Sequence, residues 1–154
     1  DFSITDELRL FLRALLKKSP WYGRNKYSIN IEKRVGLINF STIGRNCSQE
    51  QRKEYTSAEN EREDYVRAIM DRFPDLEASI GGEISIDIYK RGHNKAQVLK
   101  DINGYSIFFG DRCDGGNDAP LAERVDKAYQ VEDWKETWDI LRSMENKDAK
   151  GYYK

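Results

Sequence analysis

Two short glycine turns limit how the first ninety residues can fold. Residues 27–40 form two strand-like stretches joined only by Val35 and Gly36, and residues 76–89 repeat this arrangement around Gly81-Gly82. Such short connections join antiparallel neighbours, because a parallel pair needs a crossover of about a dozen residues. The spacing therefore predicts two β-hairpins within a small antiparallel sheet.

Helical patterns flank these hairpins. Residues 3–18 place apolar side chains at helical spacing: Leu8, Leu10, Phe11, Leu15 and Leu16. Ser3 or Thr5 is suited to cap the start of this helix, and Ser19-Pro20 ends it. The polar stretch from Ser48 to Phe73 predicts one or two amphipathic helices. Together these elements predict an α+β layer over residues 1–92.

The pattern changes after Gly92. Asn94 can cap a short helix, residues 105–109 and 128–131 are short apolar strands, and residues 132–144 predict a final helix. Three large apolar side chains of this helix are predicted to face inward: Trp134, Trp138 and Leu141. Residues 93–146 thus predict part of a doubly wound α/β domain, followed by a loose tail over 147–154. Two short parallel strands cannot bury both faces of a sheet, so further strands are expected.

Two motifs indicate phosphate chemistry. Residues 110–118 begin with Gly-Asp at the carboxyl end of an apolar strand and end in Gly-Gly-Asn-Asp, which is typical of an acidic, metal-holding loop. Residues 43–52 form a basic run with Arg45 and Arg52, which suits phosphate binding. No Asp-x-Asp nucleophile motif follows a hydrophobic strand in the sequence, although this chemistry needs one. The chain is therefore interpreted as most of an enzyme without its nucleophile.

Composition restricts the classes of protein. No apolar run approaches the ~20 residues that span a bilayer, so no membrane partner is predicted. A formal net charge of −1 and the lack of a recognition motif argue against nucleic acid binding. Cys47 and Cys113 have no CxxC partner, which favours reduced thiols and a cytoplasmic location. The first residues contain neither an initiator Met nor a signal sequence, and the expected interpretation is a piece of a longer intracellular protein.

In order along nearly the whole chain, these motifs resemble the eukaryotic-type phosphomannomutases of the haloacid dehalogenase (HAD) superfamily. The stretch Ile-Gly-Arg-x-Cys-Ser-Gln-Glu-x-Arg at 43–52 is specific to that family, whereas Gly-Asp followed by Gly-Asn-Asp is shared by many related phosphatases. The resemblance implies an α/β, HAD-like fold: an antiparallel α+β cap domain over 1–92 and the C-terminal part of a doubly wound, Rossmann-like core over 93–146. In the family, the nucleophile strand precedes the first residue of this sequence.

The resemblance also implies roles for individual residues in the cap. Arg34, Arg45 and Arg52 match the residues that grip the distal phosphate of the sugar, a task suited to guanidinium forks. Ser85 and Asp87 match substrate contacts on the cap floor. Considered alone, each of these residues is as well explained as ordinary polar surface, and only the complete motif favours the functional interpretation.

For the core, Lys95 matches the catalytic lysine that offsets charge between the nucleophile and the phosphoryl group. Asp111 matches the Mg²⁺ ligand, and Asp118 either supports that metal site or orients the lysine. Two departures stand out. Asn94 replaces the usual Asp before the lysine, and residues 119–122 replace a polar stretch associated with a second cation.

The function implied is a hexose-phosphate mutase of GDP-mannose biosynthesis that interconverts mannose 6-phosphate and mannose 1-phosphate through an aspartyl phosphate. Its cofactors would be Mg²⁺ and an activating hexose 1,6-bisphosphate, and the chain would pair as a homodimer through the cap. A missing N-terminal segment would supply the nucleophile, so this chain alone is expected to be inactive. Two alternatives stay open: a sugar-phosphate phosphatase of the same superfamily, and a noncatalytic sugar-phosphate-binding or interaction module.

Overall fold

The computed structural model describes residues 2–58 and 61–152, with side chains described as far as Glu145. The chain divides into two compact units, Asp1–Asn94 and Lys95–Lys154. This boundary lies two residues after the one predicted at Gly92. The structure is a mixed α/β arrangement with one antiparallel and one parallel sheet, and each unit is described by itself below.

The first unit contains a four-stranded antiparallel sheet in the order β1-β2-β4-β3. Its strands are β1 (Ile31–Arg34), β2 (Leu37–Phe40), β3 (Leu76–Gly81) and β4 (Ser85–Lys90). Both predicted hairpins are confirmed. β1 begins four residues later than predicted, because residues 29 and 30 bond to a loop instead. The Asn30 amide donates to the carbonyl oxygens of Ser41 and Thr42, and the Ile29 N–H donates to Asn46.

Three helices complete this unit: α1 (Asp6–Lys18), α2 (Gln49–Ala58) and α3 (Arg62–Arg72). Thr5, one of the two predicted caps, accepts a bond from the Leu8 N–H at 3.1 Å. Ser48 and Gln51 cap α2 reciprocally, at 3.1 and 2.9 Å, which is the capping-box arrangement. The polar stretch therefore forms two helices, of which α2 begins with a capping box and α3 begins without a side-chain capping bond.

The apolar face of the sheet forms the main core. Its buried members come from α1, α3 and three of the strands: Leu8, Leu12, Leu15, Leu16, Ile38, Phe40, Ile69, Ala78, Ile86 and Ile88. One predicted core position is wrong, since Leu10 is 66% exposed while Leu12 is fully buried. Leu8, Leu12 and Leu15 repeat at four and three residues and so share one helix face, whereas Leu10 points away from it.

The second unit is built around a two-stranded parallel sheet of β5 (Ile107–Gly110) and β6 (Lys127–Gln130). A 3₁₀-helix (Lys95–Asp101) precedes β5, and α4 (Ala119–Ala122) and α5 (Trp134–Tyr152) follow in chain order. Asp118 occupies the N-cap position of α4, although its side chain makes no capping bond. The short helix after Asn94 is predicted correctly in place, but it is 3₁₀ rather than α.

Helix α5 differs from its prediction in two respects. Trp134, Trp138 and Leu141 are 68%, 54% and 37% exposed instead of inward, because two strands of four residues give the helix little surface to cover. The helix also continues to Tyr152 through most of the predicted tail, since no proline or glycine interrupts residues 135–150. The last two tail residues lie outside the described part of the chain. No helix in the described ranges is long and apolar enough to cross a membrane.

Candidate functional site

A row of polar side chains crosses the sheet of the first unit on the face opposite the core. Strand register aligns four residues across the four strands: Glu32, Asn39, Asp87 and Ser79. Because side chains alternate between the two faces of a strand, Arg34 and Ser85 lie on the same face as this row. The sheet thus places three of the predicted cap residues on one face: Arg34, Ser85 and Asp87.

Arg34 and Arg45 meet at one carboxylate oxygen. Oε2 of Glu32 lies 2.9 Å from Nε of Arg45, and 3.1 and 3.3 Å from Nη2 and Nε of Arg34. Arg45 reaches the row from the loop after β2, where Gly44 has a φ of +91°. A Cβ at that glycine would lie 2.2 Å from the Ser28 hydroxyl oxygen, so the loop requires glycine on two grounds. Two predicted phosphate ligands are therefore neighbours.

Asn39 connects this arginine pair to Asp87. The Asn39 amide is buried and accepts a bond from Nη1 of Arg45 at 3.1 Å, while its Nδ2 donates to Oδ1 of Asp87 at 2.8 Å. The Asp87 carboxylate lies against Gly81, where an added Cβ would come within 2.4 Å of Oδ2. Glycine at that position therefore leaves room for the carboxylate.

Two predicted cap residues stand outside this network. Arg52 lies on α2 and pairs with Glu83 at 3.3 Å, and its buried Nε has no partner among the described residues. The Ser85 hydroxyl is buried and donates to the carbonyl oxygen of Gly81 at 2.8 Å. The Ser85 hydroxyl is therefore bonded within the β3–β4 hairpin, and Arg52 pairs with Glu83 whereas the other two arginines pair with Glu32.

In the second unit, a pocket of about 410 Å³ lies at the carboxyl end of β5, the edge where α/β sheets place ligands. Its polar lining includes Lys95, Asp111 and Asp118, with Asp133 and Thr137 from the segment around the start of α5. Asp118 is only 3% exposed, and its carboxylate accepts bonds from Nζ of Lys95 and, at 3.1 Å, from the Arg112 N–H. The pocket therefore contains a partly buried lysine–carboxylate pair.

The surroundings of Asp118 keep it ionised. Burial alone raises the pKa of this carboxyl, but the hydrogen bonds from Lys95 and from the Arg112 N–H outweigh burial and lower the pKa below its ordinary value. Both carboxylate oxygens are engaged by these donors. The bond to Lys95 is the contact expected for one of the two roles predicted for Asp118, and both roles stay predictions.

This pair gives a prediction about acid stability. Because the folded pKa of Asp118 lies below the unfolded value of about 3.8, its contribution is present above that pH and is lost as the pH falls through the folded pKa. We expect Asp118→Asn to reduce the acid dependence of the unfolding free energy below about pH 4. Urea unfolding between pH 2.5 and 7 measures this. Equal pH slopes for the variant and the unmodified chain would contradict the prediction.

The residues fit a magnesium ion only in part. No group of three or more His, Cys, Asp or Glu side chains arranged to hold a metal occurs within the described ranges. Mg²⁺ needs few protein ligands, however, since it commonly takes one or two carboxylates and completes its shell with waters and substrate phosphates. Asp111 directly follows β5 and its side chain is exposed. It fits as a single carboxylate ligand.

The sequence prediction missed Glu32, which pairs with both arginines, and Asn39, which bonds to Arg45 and Asp87. Glu32 stands two residues before Arg34 on β1, so period-2 alternation already puts them on one face. The turn at residues 35–36 then fixes the hairpin register and sets Asn39 opposite Glu32. Both residues could have been found from these two signals.

Comparison with known proteins identifies the family of the chain. Residues 23–146 match the sequence model for eukaryotic phosphomannomutase. The chain belongs to the eukaryotic phosphomannomutase family. The resemblance seen in the sequence is thereby confirmed, and with it membership of the HAD superfamily. The matched range includes Arg34 and Arg45 as well as Lys95 and Asp118.

Several curated relatives carry the name phosphomannomutase. The one from Arabidopsis thaliana is 43% identical over 101 residues, which cover 60% of this chain and 41% of that protein. The one from Encephalitozoon cuniculi is 42% identical over 106 residues, covering 62% and 41% respectively. The chain thus spans about two fifths of the length of the phosphomannomutases it matches.

Proposed function

We propose that this chain is the cap domain and part of the core of a phosphomannomutase that interconverts mannose 6-phosphate and mannose 1-phosphate. Family membership supports the general activity. The convergence of Arg34 and Arg45 on the polar face of the sheet is the observation that carries the proposal. A mutase must bind a second phosphate far from the reacting one, whereas a phosphatase needs no such second clamp. The arginine pair therefore favours the mutase.

The arginines are suited to this task by their chemistry and exposure. Their side chains are 40% and 37% exposed, so a ligand can reach them. Guanidinium groups offer several donors in a fixed plane and bind phosphate oxygens through charge-assisted hydrogen bonds. Arg52 is proposed as a third contributor, since its Nε lacks a partner among the described residues. Its ion pair with Glu83 would be exchanged for a phosphate.

In the core, Lys95 would offset the charge of the transferring phosphoryl group while Asp118 holds its ammonium group in place. Asp111 would hold Mg²⁺, which supplies positive charge that neutralises phosphate oxygens. Asp118 stays ionised through its bonds to Lys95 and the Arg112 N–H, so its carboxylate can orient the side chain of this lysine. These residues lie in the pocket at the end of β5.

The nucleophile is proposed to come from an N-terminal segment outside this sequence. The two-stranded sheet and the exposed Trp134 and Trp138 support this, because more strands would cover them. A carboxylate of that segment would take one phosphoryl group from a hexose 1,6-bisphosphate, breaking its bond to a sugar oxygen, which gains a proton. The aspartyl phosphate would then transfer its phosphoryl group to the free hydroxyl of a mannose monophosphate, which loses its proton as the carboxylate is released, and the bisphosphate so formed would return its other phosphoryl group to the carboxylate. Without this segment we expect the chain to be inactive.

The full gene product tests this function. With mannose 1-phosphate, hexose 1,6-bisphosphate and magnesium, we expect mutase activity that falls roughly 10²–10³-fold in Asp111→Ala, since an electrostatic contact to the phosphoryl group is lost. Asp114→Ala is the matched control, because that exposed carboxylate belongs to the same loop. Phosphate release without isomerisation would instead identify a phosphatase, and binding without any turnover a noncatalytic module.

The homodimer through the cap and the cytoplasmic location are also proposals that follow from the family resemblance.

A further inference from the structure

We infer that Glu32 is a positioning residue that sets the spacing and orientation of Arg34 and Arg45 for a phosphate. This inference rests on the proposed function, since the phosphate is the one that the cap would grip. It begins from a single atom: Oε2 of Glu32 contacts Nε of Arg45 at 2.9 Å and Nη2 of Arg34 at 3.1 Å. Two guanidinium groups brought this close repel each other unless an anion lies between them.

The pattern of bonds leaves the outer nitrogen atoms available. Glu32 engages Nε and Nη2 of Arg34, while Glu32 and Asn39 engage Nε and Nη1 of Arg45. Within the part of the chain that the structure describes, Nη1 of Arg34 and Nη2 of Arg45 have no hydrogen-bond partner. One Nη atom of each guanidinium group can therefore donate to a ligand oxygen.

The net charge of the cluster shows that Glu32 can orient the arginines without repelling a phosphate. Two arginines around one carboxylate leave an excess positive charge at the half-exposed surface. Asp87 is the second acid of the row. Asn39 lies between Asp87 and Arg45 and bonds to both of them. The two guanidinium groups are therefore already oriented before a phosphate binds, which lowers the entropic cost of binding.

Sheet geometry explains why Glu32 can do this. It lies on β1 opposite Asn39 of β2, and Arg34 follows two residues later on the same face. Strand pairing therefore fixes the backbone of Glu32 and Arg34, and Asn39 is buried. By contrast, Arg45 comes from a loop, so its orientation depends on its ion pair with Glu32 and its hydrogen bond to Asn39. Loss of Glu32 removes the partner of both engaged nitrogen atoms of Arg34, whereas Arg45 keeps its bond to Asn39, so both orientations should change and that of Arg34 most.

The test replaces the carboxylate by an amide of the same size. In Glu32→Gln, we expect the dissociation constant for mannose 6-phosphate to rise about tenfold, because charge-assisted bonds that orient both arginines are lost. Calorimetric titration of the chain measures this. Glu54→Gln is the matched control, since Glu54 pairs with Arg24 at 3.0 Å outside the polar row. Urea unfolding of both variants checks that the fold is retained.

A second measurement needs no ligand. In ¹⁵N–¹H spectra of the free chain, the Nε–H signals of Arg34 and Arg45 should both move in Glu32→Gln and stay in place in Glu54→Gln. Glu32→Asp, which keeps the charge, should recover part of the affinity. Unmoved arginine signals, or tighter binding of mannose 6-phosphate by Glu32→Gln, would overturn the inference. An unmodified chain that fails to bind mannose 6-phosphate would overturn the proposed phosphate site, while the arginine signals still decide the role of Glu32.

Discussion

Replacing Arg45 by alanine is expected to weaken the binding of mannose 6-phosphate about 100-fold. A guanidinium that makes charge-assisted hydrogen bonds contributes about 2–3 kcal/mol, which corresponds to roughly this factor. Arg45 is also the one arginine of the pair that bonds to both Glu32 and Asn39. Its loss therefore removes a ligand contact and leaves Asn39 without its donor. Isothermal titration calorimetry of the chain gives the dissociation constant.

Two further variants sharpen this experiment. Arg45→Lys keeps the charge but not the planar fork, so we expect an intermediate affinity. Arg67→Ala removes an arginine whose side chain is 68% exposed and whose partner is Asp64 on the same helix, and it should leave the affinity unchanged. Equal dissociation constants for Arg45→Ala and Arg67→Ala would rule out a phosphate site at the arginine pair.

Truncating Leu12 is expected to lower the unfolding free energy of the first unit by about 2–5 kcal/mol, the range for buried Leu→Ala changes. Leu12 is fully buried on α1 among the core residues beneath the sheet. Leu10→Ala is a matched control on the same helix. Because Leu10 is 66% exposed, its truncation should change the unfolding free energy by less than about 0.5 kcal/mol.

Urea denaturation of the unmodified chain, Leu12→Ala and Leu10→Ala, followed by circular dichroism, measures both changes. Because both variants replace leucine by alanine, they differ only in the position of the substitution. A larger loss for Leu10→Ala than for Leu12→Ala would show that α1 presents its other side to the sheet. That result would also agree with the sequence prediction, which placed Leu10 on the apolar face of the helix.

The two leucines show what periodicity can and cannot predict. Local spacing was sufficient to place a helix at residues 3–18, and Thr5 was suitable as its cap, because both depend on neighbours within one turn. The rotation of the helix about its axis depends on what it packs against. Here, however, the spacing already favours Leu12, which lies four residues from both Leu8 and Leu16, so the choice of Leu10 was an error in applying the helical period.

The sheet itself was more predictable because its turns are short. A two-residue connection at Val35-Gly36 allows few registers, so the alignment of Glu32 with Asn39 follows almost from the sequence. The contact of Glu32 with Arg45 does not follow, because it depends on the path of a loop across residues 41–46. Similarly, the family motif left two roles open for Asp118, and the fold shows that Asp118 bonds to Lys95, 23 positions earlier in the chain.

The errors in α5 have a different origin. Its apolar side chains were expected to be inward on the assumption that a sheet of ordinary size lies beneath them. The described sheet has two strands, which leaves Trp134 and Trp138 exposed. The hydrophobic pattern of a helix shows which of its faces is apolar. It does not show how many strands are present to cover that face.

Along β2 and β4, residues that pack in the core alternate with residues of the polar row. Ile38, Phe40, Ile86 and Ile88 point into the core, while Asn39 and Asp87 point toward the polar row. Evolution can therefore retune ligand preference on every second residue without disturbing the packing that keeps the domain folded. The same arrangement makes the strands intolerant of insertions, since one added residue would exchange the two faces and abolish stability and recognition together.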